Sequence, residues 1–554
     1  MVPPALLEID LDQIPDEATR RAVQALLNLV EVLLGENRAL RAETQRLRDE
    51  ISRLKGEQGR PQIKATTPPK RPATDHSSER ERQRPIARHR RGKLQQIVVD
   101  RTETLAVDPA LLPPDAVFKG YEEVVVQDVV LHTDTVLFRK EKWYSPARGR
   151  TYLAPLPPGY DGQFGPGLRT LVLVLYFAGN MSEAKILDLV HSVGLLISAG
   201  HVSDLLIKDR DAFHAEKAAV VEAGLASSPW QHVDDTGTRV NGQNQSCHVL
   251  CNPLYTAYHT APAKDRLTVL AVLRNGRPPA FLLNDEALGY LADLPVSATT
   301  RRQLTHLPRD TVLDEAALAR LLAEHLPRVG KQPRKWLIDA LAVAAYHAQP
   351  DGPVVQLLVC DEAGQFTGLT LDLALCWVHE GRHYKKLDPF LPPHRAAVER
   401  FLTDFWAYYD DLLAYRQQPT AAERARLEAA FDTLVAGETG YWQLDERIAS
   451  TRAKKAPLLR VLDHPEIPLH NNPAELGARQ RVRKRDVSFG PRTADGARAW
   501  DTFMTLAETA KKLGVSFYQY IHDRVSDANR LPSLADEITR QAQGLNLGAS
   551  WATP

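Results

Sequence analysis

Residues 228–261 read SPWQHVDDTGTRVNGQNQSCHVLCNPLYTAYHTA. Polar and apolar residues alternate, the alternation stops at Asn241-Gly242, and it then resumes, which is the pattern of two antiparallel strands joined by a two-residue turn. Asp234 and Asp235 are neighbours in the first strand, and successive strand side chains point to opposite faces, so only one of them can serve a given site. Farther on, VVQLLVCD (residues 354–361) is a continuous apolar run suited to a central strand, and it ends in Asp361. A carboxylate at the end of a buried strand is costly unless it is solvated, paired or bound to a cation. A third acid, Glu475, lies in LHNNPAELGARQRVRKRDVSFG (residues 469–490), just after a turn-like Asn-Asn-Pro; Pro473 suits the first turn of a cationic helix.

Two strand aspartates and a helix glutamate supply the hard oxygen ligands that magnesium takes, with positions left for water and phosphate. Two such ions can serve in-line phosphodiester chemistry. Acid counting alone does not select these three among 69 Asp and Glu, each of which is equally a surface or capping carboxylate at this level.

The chain has 554 residues, 44% of them hydrophobic, 25% charged and 7% aromatic, which is the make-up of an ordinary globular protein of three or four units rather than a disordered or fibrous one. There is no run of eighteen apolar residues, and the start MVPPALLEIDLDQIPDE is acidic where a signal peptide is basic, so the expectation is a cytoplasmic protein without a membrane partner. Cys247, Cys251, Cys360 and Cys376 form no CxxC pair, which argues against both a disulfide framework and a structural zinc site. Lys+Arg and Asp+Glu both number 69, so any affinity for nucleic acid must come from local segregation of charge.

Such segregation is found near the amino terminus. Leu26, Leu33, Leu40, Leu47 and Leu54 recur every seven residues, with Val23, Val30, Asn37, Thr44 and Ile51 three residues before each. Leucine at d and mainly β-branched residues at a predict a parallel two-stranded coiled coil, with Asn37 fixing its register. Glu36, Glu43 and Glu50 at g face Arg41, Arg48 and Lys55 at e. A long amphipathic helix packed on its own chain is the alternative. From Arg60 to Lys93 a Pro-rich linker holds eleven Lys/Arg against three acids, among them Arg80, Arg82, Arg84, Arg88, Arg90, Arg91 and Lys93. This polycation can bind phosphates by counterion release or serve as a solvated tether. The segment Arg479, Arg481, Arg483, Lys484 and Arg485 is read as a second phosphate-contact surface, with a solvated helix face as its alternative.

Three motifs carry a family resemblance. His232-Val-Asp-Asp-Thr236, Cys376-WVHEGRHYKKL and Asn471-NPAELGARQRVRK, the last followed by a helix ending TAKKLG, resemble in order and spacing the bacterial transposases of the insertion-sequence-sixty-six family. The family's patterns are H-x-D-E-T, C-W-x-H-x-R-R, D-N-x-x-E-R and T-A-K-x-x-G. The resemblance implies a ribonuclease-H-like core in which Asp234, Asp361 and Glu475 bind two Mg2+ (or Mn2+) ions, with Asp235 and His379 as supporting residues. It also implies double-stranded DNA as partner, both element ends and target, and accessory proteins encoded by the same element. In place of the family's D-G-Y this chain reads Asp361-Glu-Ala, which leaves Asp372 and Asp285 as reserve ligands; the family's cysteine-rich module has no cysteine here over residues 107–165.

The expected fold is multidomain α/β. It comprises a leucine-zipper coiled coil (1–56), a basic linker (57–105), a small β module (106–166), and a helical domain (167–227) whose Gly194 sits as in a helix-turn-helix. A catalytic domain (228–525) with helical insertions near 285–350 and 389–462, and a tail (526–554), complete it. The expected activity is a bacterial, nucleoid-associated DNA transposase that cuts and joins strands. A binding-only descendant and a nuclease without strand transfer are its rivals.

Overall fold

A computed structural model describes residues 13–55, 97–129, 131–160 and 162–551. The basic-linker cations Arg80, Arg82, Arg84, Arg88, Arg90, Arg91 and Lys93 lie outside the described residues.

Helix α1 (Glu17–Leu54) is the segment read as a zipper, and it starts where the Asp16 carboxylate accepts the Thr19 amide. It lies against its own chain through the face that the heptad leaves out. Leu27 is buried, Asn28 bonds the Gly440 carbonyl (2.9 Å) and the Trp442 amide, and Glu31 accepts the Leu391 amide (3.0 Å) and faces the His394 ring nitrogen (3.1 Å). The d-position leucines Leu26, Leu33, Leu40, Leu47 and Leu54 stay 54–76% exposed.

The small β module expected over 106–166 reduces to one hairpin, β1 (Lys142–Ser145) with β2 (Arg150–Leu153). The valine-rich run from Tyr121 forms no strand in its described residues, and Val124, Val126 and Val129 are exposed. Apolar residues in a row make a strand only where a neighbouring strand and a core receive them, and neither adjoins this run.

Four helices follow: α2 (Pro166–Phe177), α3 (Glu183–Ser192), α4 (Ala199–Ile207) and α5 (Asp211–Ala226). Gly194, at φ 86°, closes α3 as its left-handed stop. The five-stranded sheet comes next. The predicted hairpin is β3 (Trp230–Val240) and β4 (Gln243–Cys251), turned by Asn241 and Gly242 at φ 50° and 75°, with β5 (Thr256–Ala261) beside β4.

Helix α6 (Arg266–Leu273) and strand β6 (Phe281–Leu282) follow β5, and the stretch near 285–350 holds α7 (Asp285–Ala292), α8 (Ala298–Gln303), β7 (Val312–Leu313), which pairs with β6, α9 (Glu315–His325) and α10 (Lys331–His347). The chain then returns to the sheet as β8 (Leu357–Cys360) and β9 (Asp372–Leu375), both running with β3. The order across the sheet is β5-β4-β3-β8-β9: counted along the chain, third, second, first, fourth, fifth.

A second helical block comprises α11 (Trp377–Lys385), α12 (Pro392–Gln417), α13 (Ala421–Leu434), α14 (Trp442–Ala453) and α15 (Lys455–Leu458). Two long helices, α16 (Asn472–Ser488) and α17 (Ala494–Leu513), then cover the sheet. Helix α17 closes its open edge. The β5 amides of Thr256, Tyr258 and Thr260 are received by Thr509 (3.3 Å), Thr505 (3.0 Å) and Asp501 (2.6 Å). Four residues of helix advance about 6 Å and two of strand about 6.7 Å, so one face of the helix meets every outward amide of the edge. An edge so covered cannot pair with another chain. After α18 (Phe517–Val525), the segment read as a tail from 526 carries α19 (Leu534–Leu545), which docks through buried Leu534 and Ile538, and the Leu547 carbonyl accepts the Trp230 indole (2.7 Å). The tail is part of the body because its amphipathic face finds apolar partners there.

Candidate active site

The site grows from the register of two strands. Trp230, Gln231 and His232 of β3 lie opposite Leu357, Leu358 and Val359 of β8, and the same register carried two residues farther sets Asp234 beside Asp361. Asp361 therefore follows the end of β8, where its apolar run stops, and lies level with Asp234 inside the longer β3, which continues to Val240. Asp361 accepts the Ala363 amide (3.1 Å), which turns the chain away from the sheet. Reserve candidate Asp372 begins β9 opposite Leu357, at the far end of β8, and is paired with Arg460 (2.7 Å). Asp285 begins α7 and is paired with Arg309. Neither joins the pair.

Glu475 arrives from the other side, in the first turn of α16. The start of that helix is fastened to β3: the Asn471 amide nitrogen donates to the Val233 carbonyl (2.7 Å) and its oxygen meets His232 Nδ1 (3.0 Å). His232 is buried, and burial holds its pKa down at about 3, so it works as a neutral fastening. Gly477 lets the helix approach, since a Cβ there would stand 2.7 Å from Val249. Burial first, and then the negative charges of Asp361, Glu475 and Asp235, push the Asp234 carboxyl up to about 7, against the Asp235 amide that donates to it (2.8 Å).

Arg382 of α11 holds Glu475 in a two-pronged grip, Nη1 to Oε1 at 3.0 Å and Nη2 to Oε2 at 3.1 Å, and Arg479 stands 3.6 Å from Oε2. Among the described residues no three His, Cys, Asp or Glu side chains are grouped so as to hold a metal ion as they stand. Asp235 turns aside to Gln365 (2.6 Å) and Lys264 (3.5 Å). The His379 amide donates to Cys376 Sγ (3.3 Å), and its ring lies 5.0 Å from that of His383. All four cysteines are buried and free.

The cationic run divides along the helical period. Glu475, Arg479 and Arg483 are spaced by four and share a face of α16. Arg479 and Arg483 are exposed, leading away from the acids. Arg481 and Lys484, read as phosphate contacts, lie in the interior instead. Arg481 pairs with Asp501 (3.3 Å), donates to Thr260 Oγ1 (2.7 Å) and covers the Trp500 ring. The Lys484 amine bonds the Tyr176 carbonyl and sits 3.2 Å from the centre of the Tyr176 ring. Arg481 faces β5 and α17, and Lys484 faces α2 and α17, so both side chains are turned away from solvent. Arg485 is half-buried and donates to the Gly237 carbonyl.

Sequence reasoning missed Arg382, Asn471 and His232 as parts of the site, although all three stand inside the quoted motifs. Their signal was the motif itself: each lies within a few residues of a cysteine or acid already singled out.

A sequence model of the transposase IS66 family matches residues 347–499, a stretch that holds Asp361, Arg382 and Glu475 but begins after Asp234. An uncharacterized protein, y4jO, of Sinorhizobium fredii (strain NBRC 101917 / NGR234) is 33% identical over 329 residues, which cover 58% of this chain and the whole of that protein.

Proposed function

Since this chain belongs to the transposase IS66 family, we propose that it cuts and joins DNA at the ends of a bacterial insertion sequence, with Asp234, Asp361 and Glu475 as the acidic triad of a ribonuclease-H-like core. The observation that carries the reading is the placement of the three acids: Asp234 within β3 and Asp361 just past the end of the parallel neighbour β8, level in register, and Glu475 in the first turn of a helix fastened to β3. The strand order supports the ribonuclease-H-like assignment, with the helical blocks as insertions after the third and fifth strands.

The donor set suits a divalent cation. Three hard carboxylates face one region of the sheet, where burial first and then the charges of Asp361 and Glu475 weaken the acidity of Asp234. When bound, magnesium or manganese, two ions in this reading, supplies activation of the attacking oxygen and stabilisation of the leaving one. The chain's own residues do the rest. His232 and Asn471 hold α16 against β3 and so set the distance from Glu475 to Asp234. Arg479 and Arg483 line a cationic path along which the phosphodiester backbone is led to the acids. Water and a 3′-hydroxyl are the successive nucleophiles, with no covalent enzyme intermediate.

The exposed d-position leucines of α1 support a parallel coiled coil with a second copy, so the working unit in this reading is a homo-oligomer, aided by accessory proteins of the same element. No helix among the described residues is long and apolar enough to cross a membrane. The reading places the protein in the bacterial cytoplasm, on nucleoid DNA.

The test is cleavage and strand transfer on DNA bearing the element's ends, with Mg2+ or Mn2+. Asp234→Asn, Asp361→Asn and Glu475→Gln are each expected to lower the chemical rate by on the order of 10²–10³ or more while the protein still binds DNA. Wild type that binds the ends and never cuts, accessory proteins included, would establish the binding-only rival. Cutting without joining would establish the nuclease.

A further inference from the structure

Both oxygens of Glu475 are engaged by Arg382, so the carboxylate that the triad needs is already occupied by a cation of the chain's own. The backbone carrying Arg382 is locked. Glu380, buried, is paired with Lys454 (2.6 Å) and with Arg447; Gly381 lies so close to Trp406 that a Cβ would stand 2.4 Å from the ring; Tyr384 is fully buried. The guanidinium itself is not locked, since the Arg382 side chain is 42% exposed at the rim of the acids. The pull on it comes from Glu475 first and also from Asp234. A movable cation on a rigid helix, held by the very group a metal would use, is a placeholder by its geometry. Once displaced, a forked guanidinium on the solvent side of a metal-binding carboxylate is well formed to take a phosphate in the same two-pronged way.

Resting on the reading of Asp234, Asp361 and Glu475 as cation-holding acids, we propose that Arg382 is a resident counter-cation which a divalent ion must displace from Glu475, and which, once displaced, binds a phosphate of the DNA. It is a positioning residue. Metal and DNA are thereby coupled through one side chain: DNA that draws Arg382 away frees Glu475 for the ion, and by linkage the ion raises the affinity for DNA. The free protein is then a poor metal binder until its substrate is present.

The experiment is Mn2+ binding to the full-length protein, followed by the electron paramagnetic resonance signal of free Mn2+, without and with a DNA duplex. Arg382→Met keeps the side-chain volume and removes the charge. It is expected to bind Mn2+ at a midpoint roughly fivefold lower than wild type in the absence of DNA, the size expected of one partly exposed ion pair. Adding duplex should lower the wild-type midpoint and leave that of Arg382→Met nearly unchanged. Arg382→Lys, a point charge that cannot fork, should fall between the two and serves if the methionine variant folds poorly. A merely structural arginine would give the opposite sign, weaker Mn2+ binding on removal, and that result or an unchanged midpoint overturns the proposal. Asp234→Asn separates the two levels. If it loses Mn2+ while Arg382→Met binds like wild type, only the role of Arg382 falls; if it binds Mn2+ as wild type does, the ion is elsewhere and the reading of the triad falls as well.

Discussion

Helices α1 and α16 invert each other. Helix α1 carries a regular stripe of leucines and leaves them in solvent, whereas α16 is the more cationic helix and buries an arginine and a lysine. Burial follows from what faces a side chain rather than from the side chain. The α1 leucines point away from the body because the opposite face of the helix is held by Leu27, Asn28 and Glu31. Arg481 and Lys484 are inside because α16 lies on the sheet to bring Glu475 toward Asp234, and the helical period then turns Arg481 to β5 and α17 and Lys484 to α2 and α17. Their charge is tolerated where an acid, a hydroxyl, a carbonyl and aromatic faces receive it.

The largest effect should come from removing the better-paired of these cations. Arg481→Met leaves Asp501 buried without its nearest counter-charge, and Asp501 also receives the amide of the edge strand at Thr260. Loss of about 3–5 kcal/mol is expected in urea-induced unfolding. A change below about 1 kcal/mol would mean that Arg481 is solvated and available to DNA, restoring the phosphate-surface reading.

The same contrast explains what was legible in the sequence. The β3–β4 hairpin could be read because Asn241-Gly242 is a local signal that needs no partner. Asp361 was legible because it ends an apolar strand, an expensive event with few causes, whereas Asp234, in an alternating strand, stood out only through the family motif His232-Val-Asp-Asp-Thr236. The split of the cationic run was in principle legible too, since 475, 479 and 483 share a face and 481 and 484 lie off it, but composition drew attention to the total charge instead. The Arg382–Glu475 grip spans 93 residues of chain and leaves no periodic trace. Nor does the matching of Thr505 and Thr509 to alternate amides of β5, which is set by the rise of two different elements meeting in space. The run from Tyr121 misled because strand propensity was present and a receiving sheet was not.

On the side of α1, Leu40→Ala probes whether the exposed stripe is a seam. If a second copy covers it, the substitution should weaken self-association by about 2 kcal/mol, near the low end for a buried leucine, and shift the monomer–dimer midpoint in sedimentation by more than tenfold. Unfolding of the body should change by less than about 0.5 kcal/mol, because Leu40 is 67% exposed within its own chain. Wild type that sediments as a monomer at every concentration would leave the leucines without a partner in solution.

The smallest effect concerns Lys484 and has a definite sign. Burial, first among the causes, pulls its pKa down to about 7, while the unfolded chain keeps the ordinary value of 10.5. Below pH 7 the amine is charged in both states and contributes no slope. Between 7 and 10.5 the unfolded chain binds the extra proton, so stability rises with pH over that window. One group can contribute at most about 1.4 kcal/mol per pH unit. The Tyr176 carbonyl and ring favour the charged amine, which trims the expected gain to about 1–2 kcal/mol between pH 7 and 9. Lys484→Met has nothing to titrate, so the difference between wild type and variant isolates this amine from Lys217, whose pKa burial also lowers. Urea denaturation at pH 7, 8 and 9 should show the stability advantage of the variant shrinking as the pH rises. A constant difference across the three would mean that the aromatic cage keeps Lys484 charged throughout, and the interior of α16 would then hold two permanent cations against the single acid Asp501.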